Sequence, residues 1–449
     1  MMLHRSRIST QSVGVRCACG LAVLAVCSGV VAGSPPAPGL SPSPAGKPGP
    51  EGSVHNELLV VHEWGTFTSL QDETGRAIPG INTDEEALPR FVHRLSDHLV
   101  VPPSQLAPVY YKGVPRVHRD VTMRLETPVI YFHLPPGRTE PLPLDVRVRF
   151  RGGWLTEFYP NAKVDAPGVE QGRFRFGQIR PETIGSLEWK GLTVGGRPKF
   201  PETDSHVWLA PRQVNAAAVQ NRDGDGEQYL FYRGVGHLDS PLRVTRNVAG
   251  DTLTITEQFD DQLFERDRAG RAKPATTLWL AHIRDGGTVA WRSLGTRTLA
   301  LEAERVVASA PATFDESDYA QDNLDRLRID MLRALVADGL FPDEAQALLA
   351  TWELGYFRSP GLRLFFLLPQ EWTDAVLPLD LSVPADVTRT MVGRVEIVTP
   401  EHRRHLGRIS AGPVSDVSWF YDAVDNADRN AVTYKALWEG KAALADAKF

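Results

Sequence analysis

Leu144-Asp145-Val146-Arg147-Val148-Arg149-Phe150-Arg151 alternates apolar and charged residues over eight positions. Successive side chains on a strand point to opposite faces. Leu144, Val146, Val148 and Phe150 therefore share one face, and Asp145, Arg147, Arg149 and Arg151 share the other. A helix would scatter the same residues around its circumference. The stretch reads as a strand with one face in a core and one in water. Arg173-Phe174-Arg175-Phe176 repeats the alternation. Residues 123–132, 229–232, 252–256 and 276–283 are further strand signals, with Gly, Pro and Asp between them. Leu58-Leu59-Val60-Val61 reads as a short buried strand. No sustained helical pattern comes before about residue 317. Short strands at regular intervals predict a mainly antiparallel, sandwich-like unit.

Outward from that unit the period changes. Leu324, Leu327, Met331 and Leu335 recur at helical spacing, and Gly339 supplies a stop. Pro342 opens a second helix, with Asp343 and Glu344 suited to its first turn. Ala345, Leu348, Leu349 and Trp352 form its apolar stripe. These features predict a helical hairpin near residues 323–357. Residues 362–368 and 392–398 return to strand character and are expected to rejoin the sheet. The fold class is α+β, mainly antiparallel β. The expected division is a signal peptide at 1–32, a Pro/Gly/Ser-rich linker at 33–55, a β-rich domain at 56–316, and the hairpin with C-terminal strands and tail at 317–449.

The N-terminal segment reads as an export signal. His4, Arg5, Arg7 and Arg16 precede an apolar stretch from Cys17 to Val31, and Ala32 offers a small residue at the cut. A second reading makes Leu24-Ala25-Val26-Cys27 a lipoprotein box with a lipid on Cys27, although Val26 stands where a small residue is usual. Seven prolines between residues 34 and 53 suit an extended tether. The three cysteines all lie before Ala32, so a cut there leaves no disulfide and no thiolate ligand or nucleophile. The expected location is periplasm, outer envelope or extracellular space. The 449-residue chain carries a formal charge of −6, and no nucleic-acid partner is expected. Membrane contact is expected only through an anchor at Cys27.

VHEWGTFTSL at residues 61–70 and MRLETPVIYFH at 123–133 are distinctive. WLTEFYPNA (154–162), QYLFYRGVG (228–236), TWELGYF (351–357) and MVGRVEIVTP (391–400) accompany them. With these segments the chain resembles a family of exported proteins carried by environmental and predatory bacteria. The resemblance spans nearly the whole mature chain. It implies export and a β-rich fold, and transfers no catalytic residue.

Several constellations could carry chemistry. His62 and Glu63 are adjacent, so on a strand they face opposite ways and cannot chelate one ion without a bend. A metal site at His62 would need other ligands, such as His133 or His118. The simpler reading is hydrogen bonding around Trp64-Gly65. His93 and His98 are expected in a short helix after Pro89, and five residues apart they are poorly spaced for chelation. His402 and His405 have better spacing, but Arg403 and Arg404 lie between them.

Arg124 and Glu126 share a strand face, as do Arg394 and Glu396. Structural ion pairing between strands is the favoured reading, with a polar ligand site including Arg233 as the alternative. Arg147, Arg149 and Arg151 could join Arg173 and Arg175 in one guanidinium surface near Trp154, Phe158 and Tyr159. Such a surface would take phosphates, carboxylates or sulfates; a solvated sheet face is the plainer reading.

Asn221, Asp223 and Asp225 match the first half of a calcium loop. The bidentate Glu expected later is missing, since Tyr232 stands there. A hairpin turn is the plainer reading, and weak calcium is the only cofactor suggested. Common hydrolase, P-loop, zinc-protease and dinucleotide motifs are absent from the sequence. The leading expectation is an exported, non-enzymatic protein that binds a ligand, such as an anionic glycan or envelope component, through a sheet surface. The alternative is a hydrolase of envelope or extracellular polymers.

Overall fold

The computed structural model describes residues 58–81, 88–98, 110–111, 114–115, 118–170, 175–247, 249, 251–258, 274–284, 287–300, 304–353, 355–357 and 359–399. The signal, the linker, Cys27, Arg173, His402 and His405 lie outside the described residues. Thirteen described strands have six residues or more. They are β1 (Leu59–Gln71), β2 (Met123–His133), β3 (Leu142–Arg151), β4 (Gly153–Tyr159), β5 (Ile184–Val194), β6 (Leu230–Gly236), β7 (Leu242–Asn247), β8 (Thr252–Glu257), β9 (Ala275–Ile283), β10 (Val289–Thr298), β11 (Val306–Pro311), β12 (Gly361–Leu368) and β13 (Ala385–Ile397). The helices are α1 (His206–Leu209), α2 (Asn323–Ala337), α3 (Pro342–Thr351) and α4 (Gln370–Val376).

The protein is mostly β. One large mixed sheet runs β5-β4-β6-β2-β1-β13-β12-β9-β10, and β3 pairs with β5. A second, antiparallel sheet is β7-β8-β11. Most ladders are antiparallel. Two pairings depart from this: β5 meets β4 in parallel at Ile184↔Gly153, and β1 and β13 run parallel over a long ladder from Leu59↔Ala385 to Gln71↔Ile397. A parallel pair is buried on both faces and therefore loses the simple alternation; all but one residue of β1 are buried. Strands from both sides of residue 317 share the large sheet.

Three core clusters form among the described residues, and two of them take opposite faces of β1. One gathers Val61 and Phe67 of β1 with Val146, Val148 and Phe150 of β3, Val244 and Ile255 of the second sheet, and Trp372 of α4. The other gathers Trp64, Tyr131 and Val392 with Leu327, Met331 and Leu335 of α2 and Ala345 and Leu348 of α3. Each fully buried side chain of this size contributes about 1.5–3 kcal/mol. The alternation at β3 and the spacings in α2 and α3 are thus the surfaces that meet these cores.

One irregularity sets the site. On β2 the register with β1 shifts between Trp64↔Val129 and Thr66↔Glu126. Thr127 takes a positive φ of 44° ahead of Pro128, which is rare for a β-branched residue. This bulge re-phases the strand. Leu125 before it and Ile130 and Phe132 after it join the β3 core. Glu126 before it and Tyr131 after it therefore both turn toward the helices.

Candidate functional site

His62 and Glu63 part company as alternation requires. Glu63 enters the β3 side of the sheet, where it is fully buried and ion-paired with Arg389, which also reaches Asp374. The Tyr232 hydroxyl donates to Glu63 as well. Burial, followed by the nearby Glu63 charge, pushes the Tyr232 phenol well above its ordinary value.

His62 turns toward the helices and meets Glu344 of α3. His62 Nδ1 lies 2.7 Å from one Glu344 oxygen, and His133 Nε2 lies 2.9 Å from the other. The Phe341 backbone N–H also donates to Glu344, at 2.8 Å. The two imidazole rings are 5.3 Å apart. The Phe341 ring lies 4.6 Å from the His62 ring, tilted, and 4.8 Å from the His133 ring, edge-on. The β1–β2 ladder pairs Val60 with His133 and His62 with Tyr131, so the two histidines are diagonal neighbours. Glu344 sits in the first turn of α3, where the helix dipole favours a carboxylate. Burial raises its carboxyl, but the hydrogen bonds from His133 and His62 outweigh this and hold it below the ordinary value. Sequence reading proposed His133 for this site and missed Glu344, which it took as a first-turn acid. His118 is elsewhere engaged, bonding Gly177 O at 3.0 Å.

The remaining charged candidates separate into two groups. Arg124 and Glu126 are buried and 3.0 Å apart. Arg394 and Glu396 are ion-paired on β13, Arg363 is 3.5 Å from Glu396, and Arg233 is 3.6 Å from Glu157. The close Arg124–Glu126 and Arg394–Glu396 pairs lie within one strand rather than between strands. Glu126, Arg233, Trp352 and Tyr356 border a space of about 10 Å³, roughly one water. Arg124 is thus paired along its own strand, and Arg233 of β6 faces Glu157 of β4 across strands.

The arginine face of β3 meets acids. Arg147 faces Glu188 and Asp380 in register, and Arg149 is 3.0 Å from Asp380. Arg175 belongs to a two-residue strand paired with Val169–Glu170 and not with β3. Arg173, the fifth member, lies outside the described residues. Trp154, Phe158 and Tyr159 are buried in β4 and are not a surface.

Arg151 differs from its neighbours. It borders a cavity of about 370 Å³, within the range of small-molecule sites. The wall comes from Arg151 and Gly152 at the β3–β4 turn, His237 and Asp239 after β6, Gln258 after β8, and Trp372 and Val376 of α4. Gly152 takes a φ of 84°, which lets the chain reverse there. Gln258 Nε2 donates to Asp239 at 2.9 Å, and His237 Nδ1 meets Asp120 O at 2.8 Å. Among the described residues no carboxylate lies within ion-pair distance of Arg151. Of this wall, sequence reading named only Arg151, because the other residues come from separate connections.

Asn221, Asp223 and Asp225 form the turn between Val219–Gln220 and Gly226–Glu227. Asn221 Oδ1 accepts the N–H groups of Asp223 and Asp225. Asp225 accepts from Asn161 N and lies 3.3 Å from His93 Nε2. The side-chain oxygens of Asn221 and Asp225 are thus engaged in holding the turn. His93 sits on a short strand, His93–Arg94, and not in the helix expected there; a 3-10 turn follows at Leu95–His98.

No family model and no curated protein matches the chain. Among solved structures it is similar to the Fcho1 Mu homology domain of Danio rerio with bound Eps15 peptide. The TM-score is 0.26 at 9% identity, over 77% of this chain and 97% of that one.

Proposed function

We propose that this is an exported, non-enzymatic protein of the envelope or extracellular space that binds an acidic glycan. The cavity beside Arg151 carries this reading. It joins the Arg151 guanidinium, with no carboxylate within ion-pair distance among the described residues, hydrogen-bonding groups on Gln258 and Asp239, and apolar surface from Trp372 and Val376. Arginine holds carboxylates and sulfates by paired hydrogen bonds. Side-chain amides and carboxylates suit sugar hydroxyls. In this reading the second sheet and β3 close over the large sheet in a sandwich-like packing, with the helical hairpin on the far side. The cavity opens where their connections meet.

The test is calorimetric titration with a short uronic-acid oligosaccharide. Binding is expected for the wild type, with at least about a tenfold loss in Arg151→Ala, the value of one charge-assisted hydrogen bond of ~1.5 kcal/mol. No binding, or equal binding by both proteins, sinks the proposal. A hydrolase at the same cavity is the second reading, favoured by His237. If its Nδ1–H donates to Asp120 O, Nε2 is left as the free acceptor that a general base needs. Appearance of new reducing ends, lost in His237→Ala, would support that reading over simple binding.

A further inference from the structure

We infer that His62, His133 and Glu344 form a binding site for a divalent transition-metal ion. Each offers one ligand atom, and the three atoms lie within 4.8 Å of one another. The site is independent of the cavity at Arg151, since none of the three residues lines that cavity.

Charge carries the argument. The Glu344 side chain is 0% exposed and that of His62 is 5% exposed. A buried carboxylate needs a compensating positive charge. Elsewhere this protein supplies arginine: Arg389 for Glu63, Arg124 for Glu126, Arg212 for Glu227. Around Glu344, among the described residues, no lysine or arginine is within ion-pair distance. Two imidazoles and a backbone N–H approach it instead. Two neutral imidazoles and one carboxylate bind a divalent ion with a net charge of +1.

The chemistry of the donors selects the ion. Nitrogen ligands favour zinc, cobalt, nickel, copper and iron, whereas calcium takes six to eight oxygens. On binding, Nδ1 of His62 and Nε2 of His133 give up any proton they hold, and the lone pairs turn to the ion. Both histidines come from paired strands, which fixes their separation. Phe341 covers the two rings, and three protein ligands leave coordination positions for water or an exogenous ligand.

Chelator-stripped full-length protein is titrated with zinc by calorimetry and with cobalt(II) by visible absorption. One equivalent is expected to bind, with a nitrogen–oxygen cobalt spectrum and a raised melting temperature. Glu344→Gln keeps a hydrogen-bond acceptor but loses the charge. His133→Ala changes the more exposed ligand. Each should weaken binding by at least about tenfold while circular dichroism shows an intact fold. A variant-free readout is the cobalt broadening of imidazole resonances, expected for His62 and His133 and not for His118 or His237. No stoichiometric binding by the wild type overturns the site. Unchanged affinity in both folded variants, or broadening at other histidines only, also overturns it.

Discussion

Glu126 and Arg124 face each other at 3.0 Å with 4% and 0% of their side chains exposed. Removing one partner leaves the other charge in a low-dielectric interior, which costs about 3–5 kcal/mol. Glu126→Ala is expected to destabilise by that amount in chemical denaturation. A loss below about 1 kcal/mol would mark the pair as solvent-screened. Buried phenols give a second residue-scale prediction. Burial, with Glu344 beside Tyr131, Glu227 beside Tyr229 and Glu63 beside Tyr232, pushes all three phenols well above their ordinary value. A raised folded-state value means that the fold favours the protonated form. That stability is complete below the unfolded pKa of about 10 and is lost as pH rises through the folded-state values. Tyr159, raised likewise by burial and the nearby Asp225 charge, joins them, so at least four of the ten tyrosines should withhold their phenolate absorbance at pH ~11 until denaturant is added. If all ten ionise together in folded protein, these four are not buried in this way. The same scale limits what sequence could reveal of the site. Alternation separates His62 from Glu63 without any structure. It would also put His133, seven residues after Glu126, on the face opposite Glu126. The bulge at Thr127 reverses that phase, and the resulting partner of His133 is Glu344, 211 residues away.

Element boundaries follow from local pattern wherever one face meets water. β3, α2 and α3 are legible for this reason, since their apolar periods have a polar complement. β1 and β13 are legible only in part: the expected runs at 58–61 and 392–398 are fragments of ladders thirteen residues long. β1, and β13 from Arg389 onward, are covered on each face, so polar residues such as His62, Glu63, Thr66 and Arg394 are buried too and the two-residue period dissolves. The parallel pairing of these strands leaves no turn signal to read. Close strand contacts are equally silent in sequence. A Cβ on Gly185 of β5 would lie 2.7 Å from Gly153 O and 2.8 Å from the Trp154 Cα on β4. Both obstacles are backbone, so neither can move aside as a flexible side chain could. Gly185→Ala is expected to lower stability by about 1–3 kcal/mol, measured as a fall in denaturant midpoint. A neutral or stabilising result would show that β4 and β5 do not approach this closely.

At the scale of the molecule, the first long strand and the last are neighbours. β13 lies between β1 and β12, so the middle of the sheet is completed only when residues 385–397 arrive. It supplies Met391 and Val395 to one core, Val392 to the other, and Arg389 to the buried carboxylate of Glu63. A chain stopped after residue 384 therefore loses contacts on both faces. It leaves backbone donors and acceptors open along β1 and β12, and it strands Glu63 without its cation. Each unsatisfied buried polar group costs about 1–3 kcal/mol, and a domain has only about 5–15 kcal/mol in reserve. The truncated chain is expected to lack a cooperative thermal transition and near-ultraviolet circular dichroism. Adding a peptide of residues 385–399 in trans should restore some of both, because the missing strand need not be covalently attached to pair. Native-like melting of the truncated chain alone would mean that β13 is dispensable, and the central parallel ladder would then be wrong. The same long-range pairing makes folding slow, since loop closure over more than three hundred residues precedes the contacts that reward it. Reductant should change neither result, because residues 58–399 contain no cysteine.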